Sequence, residues 1–263
     1  MKRNAIRVFL MALSATLAGA QTFEAASVKP AAPGGRYGMR GDPGQIEYSQ
    51  ATLKEMLTRA YGIEAYQVEG PLWLAEARYD VVAKLPAGAT KEGVRAMLRN
   101  LLEERFGLVA HRETKELAIY ALVVGKNGPK LKISGSKTDA GTGEQAEVST
   151  VSLAKDGLPV MPAGYKGHVI GMKLPGRTAL RARQETLADF AKVLCGLLDR
   201  PVFDFTGLTD KYDFAIAWSD DGQVPLPGVF GAMQADLGLK LEPRKTPVEM
   251  LVVDRANRVP VAN

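Results

Sequence analysis

The sequence predicts an α+β fold, with helices packed on mainly antiparallel sheet, and three observations carry that expectation. Amphipathic helical stretches are mixed with alternating strands, without the strict alternation that builds a parallel sheet. Two segments about 130 residues apart repeat one order of signals. Hydrophobic residues make up 46% of the 263, enough for a substantial core and too many for a disordered chain. The expected organisation is a leader over 1–20, a first repeat half over 21–133, a flexible insertion over 134–166 and a second half over 167–263. Each half reads helix, strand, strand, helix, strand, strand.

The first helix of each half opens on a capping threonine. Thr52 stands three residues before Glu55, and Thr186 three before Asp189, the spacing at which side chain and backbone satisfy each other's first-turn groups. Apolar residues follow at helical spacing, at Leu53, Met56, Leu57, Ala60 and Tyr61, and at Leu187, Phe190, Ala191, Leu194 and Leu198. Short strands with turn residues come next, Gln67 to Pro71 and Pro201 to Asp204. Arg78-Tyr79-Asp80-Val81 then matches Lys211-Tyr212-Asp213-Phe214, and the distance from capping Thr to Tyr is 27 residues in one copy and 26 in the other.

Along these matched strands Tyr79, Val81, Ala83 and Leu85 alternate onto one face, as do Tyr212, Phe214, Ile216 and Trp218, so that face is expected in the core. Second helices carry Val94, Met97, Leu98, Leu101 and Leu102, and Val229, Met233 and Leu237, with Gly107 and Gly238 ending them. A polar hairpin is expected after each, His111 to Thr114 and Pro243 to Thr246, leading into strands at Ala118 to Val124 and Val248 to Val253. Further strands are expected at Phe23 to Val28, Gln45 to Tyr48, Gly167 to Lys173 and Thr178 to Ala182. Ser134 to Lys166 lacks periodicity and is rich in Gly, Ser, Thr, Lys and Glu, which reads as a mobile insertion.

The first twenty residues read as a secretory signal. Lys2, Arg3 and Arg7 form a basic region, Val8 to Leu17 an apolar one, and Ala18-Gly19-Ala20 a small-residue cleavage site, so cleavage is expected between Ala20 and Gln21. The destination is then periplasmic or extracellular. The apolar run of about ten residues falls short of the roughly 20 that span hydrocarbon, so no integral membrane segment is expected after signal removal. Three of the 34 basic residues lie in the leader; the other 31 face 29 acidic ones, and the formal charge of +5 falls to +2. With basic residues spread along the chain, no nucleic acid partner is expected.

Few residues offer chemistry. Two histidines, His111 and His168, and one cysteine, Cys195, are too few soft ligands for a structural zinc site, so neither metal nor cofactor is expected. Cys195 sits among Val193, Leu194, Leu197 and Leu198 and reads as a small hydrophobe rather than a reactive thiol. No Gly-x-Ser-x-Gly elbow is present to seat a nucleophile beside either histidine. Asp204-Phe205-Thr206-Gly207 has an aspartic-protease look, but the first half has Glu69-Gly70-Pro71 there, so Asp204 is read as a turn stabiliser. Asp80 and Asp213, repeated beside a Tyr, either serve a shared structural bond or line a paired groove. Trp218 continues a core stripe. The candidate ligand or partner contacts are Trp73, in a loop after Gly70-Pro71, with His111, Arg112 and Arg244; the two arginines pair either with an anionic ligand or with Glu113 and Glu242.

Phe23 to Pro30, Trp73 with Arg78-Tyr79-Asp80, Arg105 to Leu108 with His111 to Thr114, Gly128 to Leu131, Asp204 to Thr209 and Leu239 to Lys245 together resemble a soil-associated family of exported bacterial proteins whose defining domain has no assigned function. The resemblance covers essentially all of the chain after the leader. In that family the domain also occurs fused to a membrane metallopeptidase of the antibiotic-sensor type. This sequence has no His-Glu-x-x-His motif, so the resemblance implies sensing or binding rather than proteolysis. The halves are also similar, at the level of fold analogy, to small periplasmic modules at the ends of secretins and outer-membrane receptors.

The expected function is therefore a non-catalytic module of the cell envelope that binds a ligand or an envelope protein through the surface formed by its two repeats. A secreted hydrolase with an unidentified nucleophile and a structural assembly module stand as alternatives.

Overall fold

A computed structural model describes residues 22–42, 44–135, 152–162, 165 and 168–261. The leader, the Ala20–Gln21 junction and most of the expected insertion lie outside the described residues. Among the described residues there are four helices and twelve strands in three mainly antiparallel sheets, the α+β class that the sequence predicts. The chain divides into two compact units, Met1–Thr114 with Glu249–Asn263, and Lys115–Val248. They interleave along the sequence, where the sequence reading divides it into contiguous halves.

Unit 1 contains β1 (Ala25–Pro30), β2 (Gly38–Asp42), β3 (Gln45–Thr52), α1 (Leu53–Tyr61), β4 (Val68–Glu69), β5 (Arg78–Lys84), α2 (Lys91–Phe106) and the start of β6 (Val109–Val124). Its sheet runs β1-β5-β3-β2. Thr52 caps α1 as its spacing requires: its hydroxyl accepts from the Glu55 N–H at 3.2 Å, and the Glu55 carboxylate accepts from the Thr52 N–H at 2.8 Å. Thr90 accepts from Gly93 N–H at 3.0 Å and starts α2. Both helices lay apolar faces on the sheet, so Leu53, Met56 and Leu57 meet Leu98, Leu102, Tyr79 and Val81 in one core. Phe106 stands edge-on to Tyr79 at 4.9 Å, and the Tyr79 hydroxyl donates to the Arg258 carbonyl at 2.6 Å.

Unit 2 contains β7 (Lys132–Ile133), β8 (Val169–Leu174), β9 (Arg177–Glu185), α3 (Leu187–Cys195), β10 (Val202–Asp204), β11 (Tyr212–Ser219), α4 (Val229–Asp236) and most of β12 (Leu239–Arg255). Its sheet order, β7-β11-β9-β8, matches that of unit 1 element for element. Phe190, Leu194, Ile216, Trp218 and Met233 form its core, with Phe190 edge-on to Phe214 at 4.8 Å. The last part of β12 belongs to unit 1, where β4 pairs in parallel with Leu251 and Val252 and where Leu251 and Val253 join the core. In unit 2, β10 runs parallel to Tyr120–Leu122 of β6.

The two expected polar hairpins are not turns. His111 to Thr114 lie inside β6, and Pro243 to Thr246 inside β12, each one unbroken strand. Neither run contains the Gly, Asn or Asp that a tight turn uses, and a polar run is equally suited to a solvated stretch of strand.

Candidate functional site

The matched strands carry a matched device. Gln50 and Gln184, each two residues before a capping threonine, adopt left-handed backbone with φ of 56° and 50°. A residue in that conformation turns its N–H out of the ladder, and the strand register shifts there in both sheets. The released N–H is taken up by the repeated aspartate: Gln50 donates to Asp80 Oδ1 at 2.9 Å and Gln184 to Asp213 Oδ1 at 2.8 Å. Of the two readings left open for these carboxylates, the geometry supports the structural bond. Asp204 likewise accepts from the Thr206 N–H and hydroxyl in a local turn. Cys195 Sγ accepts from the Val202 N–H at 3.1 Å in a half-buried position.

The four contact candidates have partners of their own. Trp73 is in a 3-10 turn rather than an open loop, half-buried against the core of unit 1, because Pro71 starts a turn that folds the ring inward. His111 Nδ1 lies 2.9 Å from Asp254, and its Nε2 3.9 Å from Glu113. Arg112 pairs with Glu249, not with Glu113; neighbours along a strand point to opposite faces, and Glu249 comes from the adjoining strand segment. In unit 2, Arg244 meets Glu242 at 2.8 Å and lies over the Phe205 ring at 5.5 Å.

A ligand-sized concavity lies elsewhere on unit 1. A groove of about 530 Å³ runs between the C-terminus of α1, the N-terminus of α2 and the inner face of the sheet. Small-molecule sites span about 300–1,000 Å³, whereas the cleft beside Thr22, Glu24 and Arg105 encloses about 240 Å³. The apolar part of its lining is Ile46, Tyr48, Leu85, Ala89 and Val94; its charged part is Arg59, Lys91, Arg95 and Asp42. The groove exists because α1 ends early. Gly62, with φ of 66°, stops the helix, and its missing side chain admits the Arg95 guanidinium, whose carbon would stand 3.0 Å from an added Cβ.

The cations differ in their commitments. Arg95 pairs with Glu92 at 3.3 Å. Arg59 donates from Nε to the Met39 thioether at 2.8 Å and lies over the Tyr48 ring at 5.8 Å, and neither partner neutralises it. Burial pushes the Tyr48 phenol above its usual range, with Arg59 pulling the other way. Lys91 makes no ion pair among the described residues. Sequence reasoning missed Arg59, Lys91 and Arg95, since each reads alone as an ordinary helix-surface charge. The pattern joining them is the approach of two helix ends, which is a tertiary fact.

The fold and this groove define an α+β protein with a concave cationic-apolar surface. A family model described as protein of unknown function, DUF3738, matches residues 54–256, and the chain belongs to that family. Comparisons with curated proteins and with solved structures give no match.

Proposed function

We propose that the protein is an exported, non-catalytic module of the cell envelope that binds a ligand or partner in the groove of unit 1. The observation that carries this reading is the groove itself: an apolar floor of small-molecule size bordered by Arg59 and Lys91, which have no carboxylate partner among the described residues. Export rests on the three-part leader over 1–20 with its Ala20–Gln21 junction. The shared sheet order and the paired Gln–Asp bonds support descent of the two units from a duplicated ancestor. Among the described residues no helix is long and apolar enough to cross a membrane.

A hydrolase reading draws on one observation, the 2.9 Å contact of His111 with Asp254, which resembles half of a catalytic relay. The other ring nitrogen, where a nucleophile would have to sit, faces Glu113 instead. The test combines fractionation with capture. The exported protein is expected to begin at Gln21, and the immobilised protein to retain a component of envelope extract that Arg59→Glu/Val94→Asp does not retain. A leader still present on membrane-bound protein refutes the export part. Turnover of ester, peptide or glycoside substrates that His111→Ala abolishes, with nothing retained, refutes the binding part.

A further inference from the structure

We propose that the groove of unit 1 takes an amphiphilic anion, an apolar body on Ile46, Tyr48, Leu85 and Val94 with a single carboxylate or phosphate held by Arg59 and Lys91. The inference rests on the binding-module reading and narrows it to a ligand class. Three cations and one acid, Asp42, line the groove, so its field favours a negative ligand. One of the three is already committed, since Arg95 shares Glu92 with Arg99. That leaves two cations for the ligand's head. The guanidinium offers a planar fork to carboxylate or phosphate and the ammonium a point charge, so either head group suits the pair.

The floor sets the other half of the ligand. Ile46 and Tyr48 are inward-facing residues of β3 in the unit's core, Leu85 joins that core just after β5, and the half-buried Ala89 and Val94 continue the apolar surface to the wall of α2. A small hydrophilic anion would leave the half-buried Ala89 and Val94 and the rim of the floor in water, and a neutral apolar ligand would strip water from two charges without replacing it. An anion with an apolar body satisfies both parts. A polyanion matches less well, because the cations occupy one short groove and the formal charge without the leader's basic residues is only +2.

Calorimetric titration of the purified protein tests the inference with decanoate, decyl phosphate, decyltrimethylammonium, and acetate with inorganic phosphate. At least one decyl anion is expected to bind; which of them binds distinguishes carboxylate from phosphate recognition. Affinity should fall about tenfold or more in Arg59→Gln/Lys91→Gln, and as much in Val94→Asp, in variants whose melting matches the parent. The tailless anions and the cationic surfactant should not bind. The inference is overturned if neither decyl anion binds, if the cationic surfactant binds as well as the anions, or if the double variant binds undiminished. Should the decyl anions fail while groove-dependent capture from envelope extract persists, only the ligand class falls; failure of both removes the binding-module reading too.

Discussion

A backbone N–H turned out of its ladder must find another acceptor or lose the free energy of a buried hydrogen bond. Asp80 and Asp213 supply that acceptor for Gln50 and Gln184. Asp80→Ala should therefore destabilise the protein by about 1.5–3 kcal/mol, the range for hydrogen bonds to charged groups. Urea unfolding measures it, and a loss no larger than that of a surface substitution contradicts the assignment. Sequence showed that these aspartates repeat, but the left-handed glutamines were invisible in it, since Gln carries no mark of that conformation.

Glu185 makes the stability of the protein pH-dependent. It is buried beside the α3 cap, and burial first, then the nearby Asp189 carboxylate, raises its pKa above the usual glutamate value. The folded state thus holds this proton more tightly than the unfolded chain. Its contribution is fully present below the unfolded pKa and is lost as pH rises through the folded value. Glu185→Gln should stabilise the protein at about pH 7 and make no difference below about pH 4, where both states are protonated. Melting temperatures across that interval that show the opposite trend refute the sign.

Among the elements, α1 and α3 were legible because Thr52 and Thr186 cap them with side-chain bonds of 3.2 and 3.1 Å, while α2 and α4 were legible from apolar spacing and the glycines that end them. The long strands were less so. β6 and β12 pass from solvated to buried stretches, and the polar stretch takes the appearance of a turn. Glycine separates the two uses of left-handed backbone. An added Cβ at Gly238 would collide with the Gly128 carbonyl oxygen, whereas at Gly128, also left-handed, it would meet open space. Gly238→Ala is expected to cost about 3 kcal/mol or more, because backbone cannot rotate away, and Gly128→Ala about 1 kcal/mol from conformation alone. Equal losses in denaturant titrations contradict the packing around Gly238.

Across the whole molecule, residues from 249 onward complete the unit built from the described residues up to 114. Leu251 and Val253 join the core of unit 1, and the carbonyl oxygens of Arg258 and Phe106 accept from Tyr79 and Asn257. Deleting 249–263 should therefore strip hydrogen-exchange protection from Met56 and Leu98, far away in sequence. Undiminished protection there would show that unit 1 does not need the segment. Contiguous halves are what periodicity can reveal; the interleaving depends on pairings such as β4 with Leu251 and β10 with Tyr120, and periodicity marks each of these segments as a strand without naming its partner.

The same limit hid the groove, whose lining comes from β2, β3, α1 and α2 and from Leu85 and Ala89 between strand and helix. Ligand binding in this groove can be followed by amide chemical shifts in the isotope-labelled protein titrated with decanoate and decyl phosphate. Saturable changes confined to residues 41–48, 58–62 and 85–95 are expected. Changes centred on His111 and Arg112, or none anywhere at saturating ligand, would contradict binding there.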